Sequence, residues 1–198
     1  MHNRTMFCPR GKMLGGSSSH NGMVHVRGNA KDFDNWGQLG LTDWTYDKVL
    51  PYFKKSESIE GLDSNFRGES GPLKLSRSPN GNILSQVYLN AAQQAGYQIN
   101  NDMNGERQEG FGLMDTTIFN GKRQSTSVTY LHPIKHRSNL EILTNVTVNK
   151  ILFESKKAVG VECKANGENK KYFSSKEVLL SAGAINLSLI HISEPTRP

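Results

Sequence analysis

A run of glycines and serines near the start of the chain is where residue types first suggest chemistry. The run is Gly15-Gly16-Ser17-Ser18, and small and apolar residues follow it. A glycine pair lets the backbone approach an anion closely, and successive amides that lead into a helix form a positive cradle for phosphate. The residues alone therefore indicate a pyrophosphate or nucleotide site, with a flexible connection as the alternative interpretation.

The loop lies inside a longer pattern. In order along the chain, the pattern is Gly11-Lys12-x-Leu14-Gly15-Gly16-Ser17-Ser18-x-x-Asn21, then Val26-Arg27-Gly28, then Asp32-x-x-x-Trp36. This arrangement resembles the first signature of the glucose-methanol-choline (GMC) family of FAD-dependent, alcohol-oxidising enzymes. Agreement over roughly thirty positions is far more specific than a lone glycine motif.

Later motifs extend the resemblance over residues 8–186. They are Trp44-Thr45-Tyr46-Asp47-x-Val49-Leu50-Pro51-Tyr52-Phe53-Lys54-Lys55-Ser56-Glu57, Asn104-Gly105, Gln108-Glu109-Gly110-Phe111, Arg123-x-Ser125-Thr126, Tyr130-Leu131-x-Pro133, Arg137-x-Asn139-Leu140, Val159-Gly160-Val161 and Glu177-Val178-Leu179-Leu180-Ser181-Ala182-Gly183-Ala184-Ile185. The last two resemble the return strand of the family's FAD domain.

The resemblance implies FAD as cofactor and assigns residues to it. Those implied to lie along the pyrophosphate are Gly15, Gly16, Ser17 and Ser18, and those implied to lie against the isoalloxazine ring are Asn21, Gly22, Met23 and Val24. Ordinary core packing of Met23 and Val24 is compatible with that role. Val148 resembles the position whose backbone pairs with adenine, and its alternative is an ordinary interior strand valine.

His20 departs from the aliphatic residue that is usual at its place. Together with its neighbours it resembles the Ser-His-Asn of the choline oxidase branch, in which the histidine is bonded covalently to the flavin. Two interpretations stay open. Either His20 forms such a bond to the flavin 8α carbon, or it is a polar loop residue packed near the cofactor.

The chemistry that the resemblance implies is hydride transfer from an alcohol carbon to flavin N5, with a histidine base taking the hydroxyl proton. That base belongs to the family's C-terminal region, and the Gly-x-Gly-x-x-Gly fingerprint is expected ahead of Cys8. We therefore expect an incomplete fragment that has no catalytic residue and does not bind FAD tightly. The partner is a small-molecule alcohol, and the sequence identifies neither the electron acceptor nor the localisation.

Two other functions remain as alternatives. One is a non-catalytic anion-binding or interaction module, which would explain the basic charge and the phosphate-like loop without flavin. The other is a family member that has lost its catalytic histidines.

The elements expected around the loop are short. The glycine and serine run is predicted to enter a helix, and residues 46–56 to form two helical turns with a kink at Pro51. A helix is predicted over Ile83 to Ala95, with Gly96 as its cap, because apolar residues recur there every three or four positions.

The last third of the chain has a strand-like pattern. Short β-prone segments at 140–143, 146–153, 158–163 and 171–173 predict a β-meander, and 178–180 predicts a strand buried in a parallel sheet. The fold class expected is α/β with α+β, as part of a Rossmann-like FAD-binding domain and part of an antiparallel-sheet substrate domain. The predicted division assigns 1–60 and 141–186 to the first and 61–140 to the second.

Composition limits the other possibilities. The chain has 198 residues, of which 35% are hydrophobic, and its net charge of +6 arises from scattered basic residues. We therefore predict a solvated basic surface with no nucleic-acid partner, no membrane segment and no metal site. Cys8 and Cys163 are expected to be free thiols. Residues 187–198 resemble a translated sequencing adapter and are left out of the prediction.

Overall fold

The structure, a computed structural model, describes residues 5–77 and 82–187. The chain divides into a first unit that ends at Arg137 and a second that begins at Ser138. Each unit is described by itself. The segment that resembles an adapter, residues 187–198, lies outside the described residues except for Leu187.

The first unit combines three helices with short strands. Its elements are β1 (Val24–His25), α1 (Ala30–Gln38), α2 (Tyr46–Ser56), β2 (Glu57–Ser58), β3 (Leu73–Lys74), β4 (Ser76–Arg77), α3 (Ile83–Gln94), β5 (Asp115–Thr116), β6 (Ile118–Phe119) and β7 (Lys122–Arg123). β5 lies between β1 and β4 in an antiparallel sheet, β2 pairs with β3 in parallel, and β6 and β7 form a hairpin.

The glycine and serine run does not enter a regular helix, so that prediction is wrong. Residues Gly16–Ser19 form a single 3-10 turn, and the chain then extends into β1. Gly15 and Gly16 both have positive φ, at 88° and 53°. Such left-handed residues curl the backbone where helical residues would continue it.

The two helical turns predicted around Pro51 form one helix instead, because α2 continues from Tyr46 through Ser56 with Pro51 inside it; the kink at Pro51 stays a prediction. Proline lacks one N–H, and the carbonyl that loses this partner belongs to Asp47 in the first helical turn. Asp47 is exposed, so water can satisfy that carbonyl. Packing then favours one helix: Phe53 of α2 meets Phe33 of α1 edge to face, with ring centroids 5.5 Å apart.

The predicted helix α3 is confirmed, with both of its ends. The Asn82 side chain accepts a hydrogen bond from Leu84 N, which caps the start. At the other end Gly96 has φ 86°, and Tyr97 N donates to Ala92 O at 3.0 Å. This is a Schellman ending with glycine at the left-handed position. Of the helix residues, only Ala92 is buried.

The second unit confirms three of the four segments of the predicted β-meander. It consists of β8 (Val146–Glu154), β9 (Lys157–Ala165) and β10 (Glu168–Phe173), with β9 in the middle of an antiparallel sheet. The β9–β10 turn has Asn166 and Gly167 at φ 52° and 87°. Both values are positive, as a two-residue hairpin of type I′ requires.

Two predicted strands are wrong, namely the first segment of the meander and the strand after the meander. Residues 140–143 and 178–180 have no strand pairing in the structure. Leu179 is 81% exposed, so its segment lacks the covered faces that a continuously apolar strand needs. An apolar run becomes a strand only where a neighbouring strand takes up its backbone groups.

The interior of the first unit is largely polar. Its buried residues include Arg27, Glu57, Arg67, Asn104 and Asp115. In the part of the chain that the structure describes, no helix is long and apolar enough to cross a bilayer. The same residues contain no group of three potential metal ligands. Cys8 is exposed and Cys163 buried, and both are free, as expected.

Candidate cofactor-binding site

The glycine and serine loop forms a tight curl held by its own atoms. Gly11 N donates to Ser17 Oγ at 3.1 Å. A Cβ added to Gly11 would lie 2.3 Å from the carbonyl carbon and oxygen of Gly16, closer than non-bonded atoms approach. Only glycine therefore fits at residue 11, and residues 11–19 form one closed structure. Together with residues 20–23 we call it the flavin loop, after the role that the family resemblance implies for it.

The serine hydroxyls point into this curl. Ser18 Oγ donates to Gly15 O at 2.5 Å and accepts from Thr126 N at 2.9 Å. Ser19 Oγ donates to Leu14 O at 2.8 Å. These bonds fix the shape of the loop, so the hydroxyl of Ser18 serves the fold.

The backbone is open at two glycines of the loop. A Cβ added to Gly16 or Gly22 would meet no atom within 4 Å. A ligand can therefore come close to the main chain at these two positions, as the backbone recognition of a phosphate or a flat ring requires.

The loop ends in a strained residue. Met23 has φ 64°, which a residue with a side chain adopts only rarely. Its N–H donates to Asn21 Oδ1 at 3.1 Å, and its carbonyl accepts from Thr117 N at 2.8 Å. Val24 then begins β1, paired with Thr116. Strain held in place by the surroundings is typical of ligand-contacting segments.

His20 follows the 3-10 turn. Its N–H donates to Ser17 O at 3.2 Å, and the residue is exposed. The ring is thus accessible to a ligand beside the loop. Val148 belongs to β8 in the second unit, where it lies opposite Cys163 and the residue is 49% exposed. The cofactor contacts of both residues remain predictions.

Arg123 was not predicted as a site residue, although it contacts the loop. Its Nη1 donates to Asn21 O and Asn21 Oδ1, both at 2.8 Å, and to Ser18 O at 3.2 Å. The signal for it was present, because Arg123 and Thr126 belong to the Arg-x-Ser-Thr motif of the family resemblance. The sequence did not indicate that these two residues contact a loop about a hundred residues earlier.

A buried ion cluster fixes the strand that follows the loop, and its centre is Glu57. Glu57 Oε1 accepts from Arg27 Nη2 at 2.7 Å, from Arg67 Nε at 2.8 Å and from Gly68 N at 3.0 Å. His25 Nε2 lies 3.2 Å from Glu57 Oε2. Arg27 and Glu57 both occur in the family-like motifs, but their pairing was not predicted.

The cluster extends to two aspartates. Arg67 Nη2 lies 2.9 Å from Asp115 Oδ2, and Arg67 Nη1 lies 2.5 Å from Asp102 Oδ1. Asn104 Oδ1 accepts from Arg27 N at 2.8 Å. The ion cluster (Arg27, Glu57, Arg67, Asp102 and Asp115) thereby ties the segment just after β1 to β2 and β5.

The surroundings of Glu57 change its acidity. Burial alone raises the pKa of its carboxyl group. Hydrogen bonds from His25, Arg67 and the Gly68 amide, together with the charge of Arg27, outweigh burial and lower the pKa from 4.5 to about 2. The pKa of Arg67 shifts in the direction expected of the partner of an ionised Glu57. Burial lowers this pKa, but the hydrogen bond and charge of Glu57 raise it overall.

Stability is expected to fall as pH is lowered from about 4.5 towards about 2. In this window the unfolded chain binds a proton at Glu57 that the folded chain does not bind, so acid favours unfolding. Urea denaturation at several pH values in this window gives the free energy of unfolding as a function of pH. The slope of that function should be smaller for Glu57→Gln than for the wild type, by the equivalent of about one proton. The exposed control Glu60→Gln should keep the wild-type slope, and equal slopes for all three proteins would contradict the assignment.

A sequence model of the GMC oxidoreductase family matches residues 1–191. The chain belongs to the GMC oxidoreductase family. Its fold agrees, because the structure of an FAD-dependent oxidoreductase from Chaetomium thermophilum is similar over 91% of this chain and 34% of that one, with a TM-score of 0.86 and 30% identity. The likeness confirms the predicted mixed fold class of an FAD-binding oxidoreductase.

Choline dehydrogenases are among the curated relatives of this GMC chain. It is 48% identical over 183 residues to the mitochondrial choline dehydrogenase of Homo sapiens, covering 92% of the chain and 31% of the relative. It is 44% identical over 186 residues to the oxygen-dependent choline dehydrogenase of Rhizobium johnstonii, covering 94% and 34%. The chain thus spans about a third of the length of these relatives.

Proposed function

We propose that this chain supplies the flavin loop of an FAD-dependent oxidoreductase that oxidises the CH–OH group of a small alcohol. The observation that supports it is the open backbone at Gly16 and Gly22, within a curl whose hydroxyls are turned inwards. A loop that only connected two elements would not need its open main chain to be held so firmly. Membership of the GMC family supplies the cofactor class.

The residues of the loop suit FAD. Residues 15–18 are proposed to lie along the pyrophosphate, where glycine leaves room for the phosphate oxygens. Residues 21–24 are proposed to lie against the ring system, and Val148 to offer its backbone to the adenine. When bound, FAD supplies the acceptor for the hydride that leaves the alcohol carbon.

The chain's own contribution is to position and enclose the cofactor. The Asn21 side chain fixes the turn into Met23, and the hydrogen bond from Thr117 fixes the Met23 carbonyl. The Met23 and Val24 side chains can shield one side of a bound ring from water, since neither is fully buried in the fold. Rigid support of this kind holds the reacting atoms at a productive distance.

The proposed substrate is choline or a similar small alcohol. This rests on the 48% identity to a mitochondrial choline dehydrogenase. A trimethylammonium group bound in an aromatic or acidic setting is a common mode of choline recognition, but the residues for it are to be sought in the whole protein. The electron acceptor stays open.

The test uses the protein made from the complete reading frame. It should be isolated with a flavin absorption spectrum, and mass spectrometry should identify the flavin as FAD. When the protein is mixed anaerobically with choline, its flavin absorbance should bleach. Trimethylamine, which has no hydroxyl group to oxidise, should leave the absorbance unchanged. A colourless protein would reject FAD binding, and a yellow protein that no alcohol reduces would reject the reaction.

His20 makes a separate prediction for the same protein. If its ring nitrogen is bonded to the flavin 8α carbon, acid precipitation should leave flavin with the polypeptide, and His20→Ala should release it. The exposed His136 provides a control, since His136→Ala should not alter retention. Complete release of flavin from the wild-type protein would favour the alternative, a polar histidine packed near the ring without a bond.

A further inference from the structure

One later segment of the first unit contacts the flavin loop at several points along its length. Thr116 pairs with Val24, and Thr117 N donates to the Met23 carbonyl. We call residues 116–127 the template segment. Its contacts cover the loop from the first glycine of the pair to the strained methionine.

The rest of the template segment contacts the start of the loop. Thr126 N donates to Ser18 Oγ at 2.9 Å, and Thr126 Oγ1 donates to Gly15 O at 3.2 Å. A Cβ added to Gly15 would lie 2.4 Å from Ser19 Oγ in the loop itself and 3.1 Å from Ser127 Cβ in the template segment. The template segment therefore also limits which residue can stand at the first position of the glycine pair.

The template segment is itself rigidly built. β6 and β7 are joined by Asn120 and Gly121, with φ 49° and 70°, and Ile118 pairs with Arg123. Asn-Gly with two positive φ values is the preferred two-residue hairpin turn, since its twist matches that of the strands. Gln124 N also donates to Thr117 O at 2.8 Å. The hairpin thus presents Arg123 to the loop from a fixed base.

Arg123 makes the central contact of this arrangement. Its Nη1 reaches three oxygens of two loop residues, Ser18 and Asn21. Ser18 and Asn21 lie on either side of Ser19 and His20. One charged group therefore contacts the backbone on both sides of the middle of the loop. Hydrogen bonds from a charged donor are stronger than those between neutral groups, and a guanidinium holds its geometry better than a flexible ammonium.

We propose that Arg123 is a positioning residue, which sets the geometry of the flavin loop against its cofactor without itself carrying out chemistry. The proposal rests on the proposed function for its effect on flavin. Its effect on the loop is independent of that function. Loss of the Arg123 side chain leaves three loop oxygens to water and frees the backbone on both sides of His20.

The experiment compares Arg123→Met, Arg123→Lys and the control Arg107→Met in the protein from the complete reading frame. Arg107 is exposed and donates to Gln98, away from the loop. Amide hydrogen exchange in residues 15–24 should become about tenfold faster or more in Arg123→Met, in line with the loss of a charged hydrogen-bonding group. Arg123→Lys should restore part of the protection, and Arg107→Met should match the wild type.

The midpoint potential of the bound flavin is the second readout, because it responds to the position of the loop and not to a general loss of stability. It should shift in Arg123→Met, move part of the way back in Arg123→Lys, and stay at the wild-type value in Arg107→Met. Both readouts apply whether or not the flavin is covalently attached.

Failure of the two proposals can be told apart. A wild-type protein without flavin would overturn the proposed function, while hydrogen exchange would still test Arg123. A flavin-containing wild type whose loop exchange and potential are unchanged in Arg123→Met would overturn the positioning role. If Arg123→Met does not fold, Thr126→Val replaces it, since it removes the Oγ1 contacts and keeps the backbone one. An unchanged loop in that variant would count against the template segment.

Discussion

Replacing Glu57 with glutamine is expected to lower the free energy of unfolding by about 3–5 kcal/mol, the usual cost of breaking a buried ion pair from one side. Glu57 is fully buried, and its carboxylate lies between Arg27 and Arg67. Glutamine has nearly the same shape but no charge, and it brings an NH2 group next to two guanidinium groups. The positive charge of Arg27 is then left in the interior with no adjacent carboxylate.

The measurement is urea denaturation at neutral pH, with the exposed Glu60→Gln as the matched control. The control should remain within about 0.5 kcal/mol of the wild type, because isolated surface changes rarely cost more. A cost for Glu57→Gln as small as that of the control would show that the ion cluster contributes specificity without stability. Flavin content should fall together with stability, since β1 follows the flavin loop directly.

Replacing Gly11 with alanine is expected to reduce flavin occupancy by about tenfold or more, because the loop must then be reshaped to bind the cofactor and about 1.4 kcal/mol of lost binding free energy lowers affinity tenfold. The added Cβ would lie 2.3 Å from two backbone atoms of Gly16. Backbone cannot move aside as a flexible side chain can, so the curl has to open. Gly16 is one of the two positions proposed to face the cofactor.

The flavin-to-protein absorbance ratio of the purified protein measures the occupancy. Gly40→Ala is the control: Gly40 lies outside the loop and has φ 99° with open space around it, so the change costs about 1–2 kcal/mol of stability through backbone strain alone. Full occupancy in Gly11→Ala would contradict the loop geometry. Gly22→Ala has room in the fold, so a loss of flavin there without a loss of stability would locate the cofactor beside Gly22.

Local signals in the sequence predicted much of the fold. The α3 helix was predictable because its apolar period and its Gly96 ending agree. The meander was predictable from alternating strands and an Asn-Gly turn. The segment 178–180 was not, because an apolar run does not reveal whether neighbouring strands cover it. At Pro51 the one lost hydrogen bond was outweighed by packing between α1 and α2.

The candidate site was predictable in position but not in construction. The glycine and serine pattern located the loop, but no local pattern shows that Ser18 bonds to Thr126 or that Arg123 reaches Asn21. These contacts join segments about a hundred residues apart. The positive φ of Met23 could not be predicted either, since it is imposed by the bonds around it and opposes the preference of the residue itself.

The polar interior of the first unit has a consequence for how its stability depends on temperature. Exposure of apolar surface raises the heat capacity on unfolding, whereas exposure of polar surface lowers it. An interior that contains Arg27, Glu57, Arg67, Asn104 and Asp115 therefore gives a small heat-capacity change for a unit of its size. Its stability curve is correspondingly flat, so cooling weakens this unit less than it weakens one built around aliphatic side chains.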